Sequence, residues 1–250
     1  MSLKIFNNYS PNFNPIKRHT RQIKFLIFHY TGMKKESDAI KKLTNFRSNV
    51  SCHYFIKKNG ETLVMVPDLY VAWHAGKSRW KNYNSLNRYS IGVEISNQGH
   101  NFNYNKFSKK QIQSIIKLSK GLIKKYKIKS NNILGHSDIA PERKKDPGEK
   151  FPWKELAKKK IGLWKSISTE KLEKNRGIIL NKISEKIFYN NLNKIGYMTK
   201  NMKNLKNRKF NNYIVKAFQR RFRQELINGK VDKECLLISE NLLKKLNKIS

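Results

Sequence analysis

Short apolar runs spaced along the first two thirds of the chain predict the strands of a β-sheet. Residues 23–28 are mostly apolar and β-prone, which is typical of a buried strand. Residues 54–57 and 62–66 flank an Asn-Gly turn and predict a β-hairpin. Residues 90–95 carry apolar side chains at every second position, and residues 133–134 form a further short apolar run. These five segments are the predicted strands.

Segments with helical periodicity lie between these strands. Residues 35–47 place four apolar residues on one side of a helix. Residues 108–127 repeat apolar residues near a 3.6-residue period, with Ser108 as the N-cap. Strands interleaved with helices are typical of α/β domains. We therefore predict an α/β fold with a mixed central β-sheet flanked by helices, ending near Trp164.

The last third of the chain is predicted to be helical. Residues 178–193, 211–226 and 233–247 show apolar positions at helical spacing, and Asp232 is a natural N-cap for the third segment. A polar and charged stretch before them is typical of a linker. The predicted organisation is an α/β domain over residues 1–165, a linker over residues 166–176, and a small three-helix module over residues 177–250.

Positive charge dominates the composition. The chain has 54 Lys+Arg against 17 Asp+Glu, a formal net charge of +37. Such an excess can indicate a nucleic-acid-binding protein, which would retain nucleic acid with a steep salt dependence. The basic residues are spread over nearly the whole chain, however, and no nucleic-acid-binding motif accompanies them. We therefore expect no nucleic-acid partner, and a basic surface that attracts anionic ligands.

The termini and the cysteines bear on location. No stretch approaches the roughly 20 apolar residues of a membrane helix, so no membrane span is expected. The first residues hold no apolar run of signal-peptide length. Cys52 and Cys235 suit neither a disulfide framework nor a metal-binding cysteine pair. These features predict a cytoplasmic protein with two reduced thiols. A periplasmic or envelope-associated protein is the alternative. The expected oligomeric state is a monomer.

Two of the predicted strands lead into histidines. His29 follows the run at 23–28, and His136 follows the run at 133–134, with Asp146 ten residues later. Two imidazoles and one carboxylate leave a fourth tetrahedral position open, which is typical of catalytic zinc sites. A single histidine at a strand end is more often structural. The spacing alone therefore leaves both a zinc site and a structural role open.

Six segments resemble the type 2 N-acetylmuramoyl-L-alanine amidase family, the zinc-dependent amidases of the AmpD and AmiD kind. They are residues 28–32 (FHYTG), 51–54 (SCHY), 72–76 (AWHAG), 90–94 (SIGVE), 135–148 (GHSDIAPERKKDPG) and 151–153 (FPW). The resemblance implies an amidase/peptidoglycan-recognition-like fold. It also implies hydrolysis of the amide bond between N-acetylmuramic acid, or its 1,6-anhydro form, and the L-alanine of peptidoglycan stem peptides during cell-wall degradation or recycling.

The same resemblance implies roles for five residues. His29, His136 and Asp146 would bind one Zn²⁺ per chain, Glu94 would be the general base, and Lys144 would stabilise the developing oxyanion. Zinc lowers the pKa of bound water from about 16 toward 7, and a carboxylate can accept the released proton. Because all five residues are present, we predict an enzyme. The alternative is a non-catalytic peptidoglycan-recognition module, which the resemblance links to loss of a zinc ligand.

Substrate contacts are predicted at Trp73, His74, Arg79 and Arg88. Trp73 and His74 lie in the segment that the resemblance places at the substrate cleft, although the tryptophan could equally be a core residue. Arg79 and Arg88 could pair with stem-peptide carboxylates through bidentate hydrogen bonds. The expected partners are peptidoglycan fragments, that is, muropeptides.

The C-terminal module has a resemblance of its own. Residues 215–222 (VKAFQRRF) are similar to the core helix of the three-helix peptidoglycan-binding domain attached to some amidases of this family. A helical bundle that only packs on the α/β domain would show the same apolar spacing. Both interpretations are therefore kept.

Overall fold

The computed structural model describes residues 4–200 and 204–248; residues 1–3, 201–203 and 249–250 of the predicted domains lie outside the described residues. The strands are β1 (Ile5–Asn7), β2 (Phe13–Asn14), β3 (Phe25–Tyr30), β4 (Tyr54–Ile56), β5 (Thr62–Val64), β6 (Val71–Ala72), β7 (Arg79–Trp80), β8 (Tyr83–Asn84), β9 (Ser90–Ile95) and β10 (Ile133–Gly135). The helices are α1 (Glu36–Thr44), α2 (Lys109–Tyr126), α3 (His136–Ile139), α4 (Trp153–Lys158), α5 (Thr169–Glu173), α6 (Lys182–Ile195), α7 (Leu205–Phe222) and α8 (Lys233–Asn247).

Six strands form the central sheet, in the order β1-β5-β4-β9-β3-β10. All neighbouring strands are parallel except the hairpin β4–β5, which is antiparallel. Two small antiparallel pairs, β2–β6 and β7–β8, lie outside it. This mixed sheet with its flanking helices confirms the predicted fold class.

The strand β3 is buried on both faces. Phe25 and Ile27 belong to an apolar cluster that includes residues of α6, α7 and α8, whereas Leu26 and Phe28 belong to a cluster that includes residues of α2. Alternate side chains of a strand point to opposite faces. The C-terminal helices therefore contribute to the core on one side of the sheet, and α2 to the core on the other. Each fully buried Leu or Phe stabilises the fold by about 1.5–3 kcal/mol.

The structure confirms the two helix N-caps that were predicted from the sequence, Ser108 and Asp232. The side chain of Ser108 accepts a hydrogen bond from the Gln111 N–H at 3.1 Å, at the start of α2. The side chain of Asp232 accepts one from the Cys235 N–H at 2.9 Å, at the start of α8. Such caps satisfy N–H groups that have no partner inside the helix.

The stretch predicted as a linker, residues 166–176, is partly helical. It contains α5, buries Leu172 in the core shared with α8, and ends at Arg176, whose guanidinium contacts both carboxylate oxygens of Glu234 at 2.7 and 2.9 Å. A single leucine among charged residues gives no helical period, so the sequence pattern could not predict this. The boundaries of the three predicted units remain a prediction.

Two further features concern the helices and the cysteines. Across residues 4–200 and 204–248, the helices are too short or too polar to cross a bilayer. Cys52 and Cys235 are both buried and unpaired, as two reduced thiols would be.

Candidate metal centre

The candidate site lies where three parallel strands end. In the register of β3 and β9, His29 is paired with Glu94. In the register of β3 and β10, Phe28 is paired with Gly135, so His136 follows beside His29. The carboxyl ends of parallel strands are where α/β sheets bind ligands. The sheet register therefore brings together residues that are more than 100 positions apart in sequence.

His29, His136 and Asp146 form a compact, buried group. The Nδ1 atoms of the two histidines are 2.9 Å apart, and Oδ2 of Asp146 is 3.1 Å from the first and 3.0 Å from the second. All three side chains are less than a tenth exposed. These three residues form the one group of His, Cys, Asp or Glu side chains in residues 4–200 and 204–248 that converges closely enough to hold a metal ion.

The hydrogen bonds behind His29 show where its proton lies. Its Nε2 is 3.0 Å from Nδ1 of His74, and Nε2 of His74 is 3.1 Å from the Ser90 hydroxyl. That hydroxyl donates to the Leu86 carbonyl at 2.7 Å, so it accepts a hydrogen bond from the Nε2–H group of His74. His74 then offers a lone pair at Nδ1, and His29 must donate from Nε2. The Nδ1 atom of His29 is left as a free lone pair.

The same holds for His136. Its Nε2 is 3.1 Å from the carbonyl oxygen of Ala75, which can only accept, so this nitrogen carries the proton. The Arg143 guanidinium, 3.4 Å from this nitrogen, donates to the same carbonyl. The Nδ1 atom of His136 is therefore a second lone pair. With the Asp146 carboxylate, three acceptors then face one another, an arrangement that suits a bound cation.

The charge states of these residues also suit a metal ion. Burial lowers the pKa of His29 to about 4, and the neighbouring His136 acts in the same direction, so the His29 ring is neutral near pH 7. Burial alone would raise the pKa of Asp146, but His136 and His29 hold it well below its usual range. A tetrahedral zinc ion needs neutral imidazoles and a carboxylate whose ligand atoms are about 3.3 Å apart. The observed group fits that requirement to within a few tenths of an ångström.

One short segment orients both histidines. His74 contacts the outer nitrogen of His29, and the next residue, Ala75, contacts the outer nitrogen of His136. The side-chain oxygen of Asn87 accepts hydrogen bonds from both backbone N–H groups of this segment, at 3.1 and 2.6 Å. Groups that bond the outer nitrogen of a metal-binding histidine fix its tautomer and ring orientation.

Gly92 leaves the space that the His74 ring occupies. A Cβ atom at this position would lie 2.3 Å from Cγ of His74. We expect Gly92→Ala to lower the free energy of unfolding by about 1–3 kcal/mol through overpacking, and to weaken metal binding. Gly121, in α2, has no heavy atom within 4 Å of an added Cβ. Gly121→Ala is therefore the control and should raise stability by about 0.5–1 kcal/mol in the same urea titration. Equal effects of the two substitutions would contradict this account.

Glu94 faces the cavity beside the three-residue group and is only partly exposed. Burial raises its pKa to about 8, and the charge of Asp146 adds to this effect. The cations Lys144 and Lys42 act in the opposite direction and favour the carboxylate. A carboxyl group with a pKa near neutrality can both accept and return a proton.

A cavity of about 500 Å³ opens over the site. Trp73, His74, Glu94 and Lys144 line it together with the three-residue group. Arg79 and Arg88, by contrast, are exposed and are not among the lining residues. The structure instead brings three other cations to the cavity, Lys42, Arg143 and Lys145. Arg143 and Lys145 flank Lys144 in sequence, and that proximity was the signal from which their place in the cavity could have been predicted.

Comparison with known proteins agrees with this geometry. The family model described as N-acetylmuramoyl-L-alanine amidase matches residues 19–149. N-acetylmuramoyl-L-alanine amidase AmiD of Escherichia coli K12 is 35% identical over 237 residues, which cover 90% of this chain and 83% of the relative.

Solved structures extend the likeness to the C-terminal helices. The complex of E. coli AmiD with anhydro-N-acetylmuramic acid-L-Ala-D-γ-Glu-L-Lys superposes with a TM-score of 0.78 at 34% identity, over 90% of each chain. Pseudomonas aeruginosa AmpDh3 bound to an anhydromuramic pentapeptide also has a TM-score of 0.78, at 28% identity over 93% of this chain and 94% of AmpDh3. The motif segments, the sheet and the candidate metal centre thus lead to one family, and the chain belongs to the N-acetylmuramoyl-L-alanine amidases.

Proposed function

We propose that the chain is a zinc-dependent hydrolase that cleaves the amide bond between the lactyl group of N-acetylmuramic acid, or of its 1,6-anhydro form, and the L-alanine of a stem peptide. One observation carries the proposal. Three ligand atoms, on His29, His136 and Asp146, converge beside the cavity that Glu94 and Lys144 also line. Family membership supports the reaction class.

In this proposal His29, His136 and Asp146 hold the zinc ion. Bound zinc supplies Lewis acidity, which polarises a carbonyl group and lowers the pKa of water toward 7. Glu94 takes the proton of the attacking water as the C–O bond forms. It then passes that proton to the alanine nitrogen as the C–N bond breaks, so that the peptide leaves as a neutral amine.

Lys144 has a separate role in the proposal. Its ammonium lines the cavity, and it lies two residues from Asp146 in sequence. A fixed cation aimed at the tetrahedral oxygen stabilises the charge that develops there during attack. Lys144 therefore stabilises the transition state.

We propose anhydromuramyl peptides as the substrates, because the two similar structures bind such peptides. The cations Lys42, Arg143 and Lys145 line the cavity and suit the carboxylates of a stem peptide. Trp73 and His74 keep their predicted substrate-binding role in this proposal. The predicted contacts of Arg79 and Arg88 with stem-peptide carboxylates stay a prediction, since neither residue lines this cavity.

The pH dependence of the reaction tests the effect of Lys144 on the pKa of Glu94. Glu94 must be ionised to accept a proton, and the charge of Lys144 lowers its pKa. Lys144→Met therefore raises that pKa, and the acid limb of the kcat/KM profile should move to higher pH by up to about one pH unit. Lys109→Met, at an exposed position on α2, is the control. An acid limb that stays in place, or moves to lower pH, would show that Lys144 does not lower the pKa of Glu94.

Removal of the metal tests the proposed function itself. We expect the wild-type chain to release the stem peptide from an anhydromuramyl tripeptide, as detected by mass spectrometry. Dialysis against a chelator should abolish the release, and stoichiometric Zn²⁺ should restore it. Activity that survives complete removal of the metal would overturn the proposal. So would tight binding of the intact tripeptide by the zinc-loaded chain, which is the behaviour of a recognition module.

Three expectations remain predictions. They are the cytoplasmic location, the monomeric state, and binding of peptidoglycan by the helices α6, α7 and α8. Cell fractionation, size-exclusion chromatography and sedimentation with purified sacculi are the respective measurements.

A further inference from the structure

Asp138 is a buried residue that lies between His136 and Asp146 in sequence but is not part of the three-residue group. It is only 2% exposed and belongs to α3, the short helical turn that begins at His136. Its Oδ2 accepts a hydrogen bond from the Gly135 N–H at 2.8 Å, which closes the turn at its start. In the same turn, the Ser137 N–H donates to the backbone carbonyl of Asp146 at 2.8 Å. The turn therefore carries one proposed zinc ligand and fixes the backbone of another.

Both oxygens of Asp138 are held by the C-terminal part of the chain. The Tyr197 hydroxyl, just after α6, donates to Oδ1 at 2.5 Å. Nη1 of Arg221, in α7, donates to Oδ2 at 2.6 Å, and its Nη2 donates to the carbonyl of Ile133 in β10 at 2.9 Å. Tyr197 and Arg221 are 1% and 3% exposed. These bonds tie the metal-site turn and its preceding strand to two elements of the helical module.

Further contacts hold the Arg221 guanidinium in place. It lies over the ring of Trp153, with Cζ 4.3 Å from the ring centroid. A planar guanidinium that is stacked and bonded through two nitrogens has little freedom to follow a shifted carboxylate. A buried carboxylate that loses one such partner is left with an unmatched charge, and the turn that carries it must rearrange.

We propose that Tyr197 and Arg221 are positioning residues for the metal centre, through which the C-terminal helices set the geometry and affinity of the site. Neither belongs to the three-residue group or lines the cavity, so they act through Asp138 and, for Arg221, also through the Ile133 carbonyl. The inference rests on the proposed function, because it assumes that the group binds zinc. The C-terminal helices then serve catalysis whether or not they bind peptidoglycan.

The test compares two buried arginines at the end of α7. Arg221→Met removes the hydrogen bonds to Asp138 and to the Ile133 carbonyl. Arg223→Met removes an equally buried ion pair, with Asp232 at 2.5 Å, that lies inside the helical module. Tyr197→Phe and Tyr189→Phe form a second, milder pair in which each substitution removes one hydroxyl. The full-length chain is used throughout, at a temperature where circular dichroism shows each variant to be folded.

The readouts are the Zn²⁺ dissociation constant, from competition with a chromogenic chelator, and the visible absorption spectrum of the Co²⁺-loaded chain. We expect about a 10-fold higher dissociation constant for Tyr197→Phe and up to about 100-fold for Arg221→Met, with altered Co²⁺ spectra. Arg221→Lys should fall between the wild type and Arg221→Met. Arg223→Met and Tyr189→Phe should bind zinc as the wild type does. If Arg221→Met fails to fold, the comparison of Tyr197→Phe with Tyr189→Phe decides whether the inference holds.

Two results would overturn the inference alone. One is wild-type affinity and spectrum in Tyr197→Phe and in a folded Arg221→Met. The other is an equal loss of affinity in the Arg221 and Arg223 variants, since that would reflect general destabilisation. Failure of the wild-type chain to bind Zn²⁺ would instead overturn the proposed function, and this inference with it.

Discussion

Replacing Glu94 by glutamine should lower kcat by about 10²- to 10⁴-fold, the usual contribution of a positioned general base. Glutamine keeps the size and hydrogen-bonding shape of the side chain, but it cannot accept the proton of the attacking water. Glu94 is not one of the three converging metal ligands. The Zn²⁺ dissociation constant should therefore stay at the wild-type value, and added zinc should not restore activity.

The matched control is Glu61→Gln, in the β4–β5 hairpin, because Glu61 does not line the cavity. Glu61 pairs with Lys57 at the surface, with the two atoms 2.7 Å apart. This substitution should leave kcat unchanged. If Glu94→Gln keeps activity close to that of the control, Glu94 is not the general base. If Glu94→Gln also binds zinc more weakly, the Glu94 carboxylate is a metal ligand rather than the general base.

Asp146→Asn should weaken the binding of zinc rather than impair the proton transfer by Glu94. The amide has no charge and is a poor zinc ligand, so the Zn²⁺ dissociation constant should rise by more than about 100-fold, beyond the usual cost of losing an outer partner of a ligand. Activity should fall in parallel at stoichiometric zinc and return in part at a large excess. That response to added zinc distinguishes it from Glu94→Gln.

Asp68→Asn provides a second buried aspartate as the control. Asp68 lies outside the cavity and accepts hydrogen bonds from the hydroxyls of Tyr54 at 2.6 Å and Tyr126 at 2.5 Å. Its replacement should lower stability in a urea titration without changing zinc affinity. Equal zinc affinities for Asp146→Asn and the wild type, measured by chelator competition, would remove Asp146 from the metal centre.

The strongly patterned elements could be predicted from the sequence. β9 has the predicted bounds, and α2 lies one residue inside each predicted end with the predicted cap. Both follow from local chemistry, since alternation or a 3.6-residue period extends over the whole segment. The strands β1, β2, β6, β7 and β8 were not predicted. Each has two or three residues, and their pairing depends on distant partners rather than on their own side chains.

The candidate site was predictable only in part, for a similar reason. The segments around His29, Glu94 and His136 carry enough of the family pattern to be recognised without a structure. The position of His74 behind His29 follows from sheet register and from the missing side chain at Gly92, which no local pattern reveals.

Charged contacts were the least predictable features. With 54 Lys+Arg in the chain, a single arginine carries almost no positional information. Arg79 and Arg88 were predicted at the substrate and do not line the cavity, whereas Arg143 lines it. Arg221 lies in the segment that resembles a peptidoglycan-binding helix, yet its side chain is bonded to Asp138 of the metal-site turn. Such pairings are decided by tertiary packing.

The most direct test of the central claim is hydrolysis of an anhydromuramyl tripeptide in water labelled with heavy oxygen, followed by mass spectrometry of both products. If the zinc-loaded chain cleaves the lactyl–alanine amide, the heavy oxygen will appear in the carboxylate of the released sugar acid. The released peptide will begin with an unlabelled L-alanine. Label in the peptide, cleavage at any other bond, or an intact tripeptide would contradict the account.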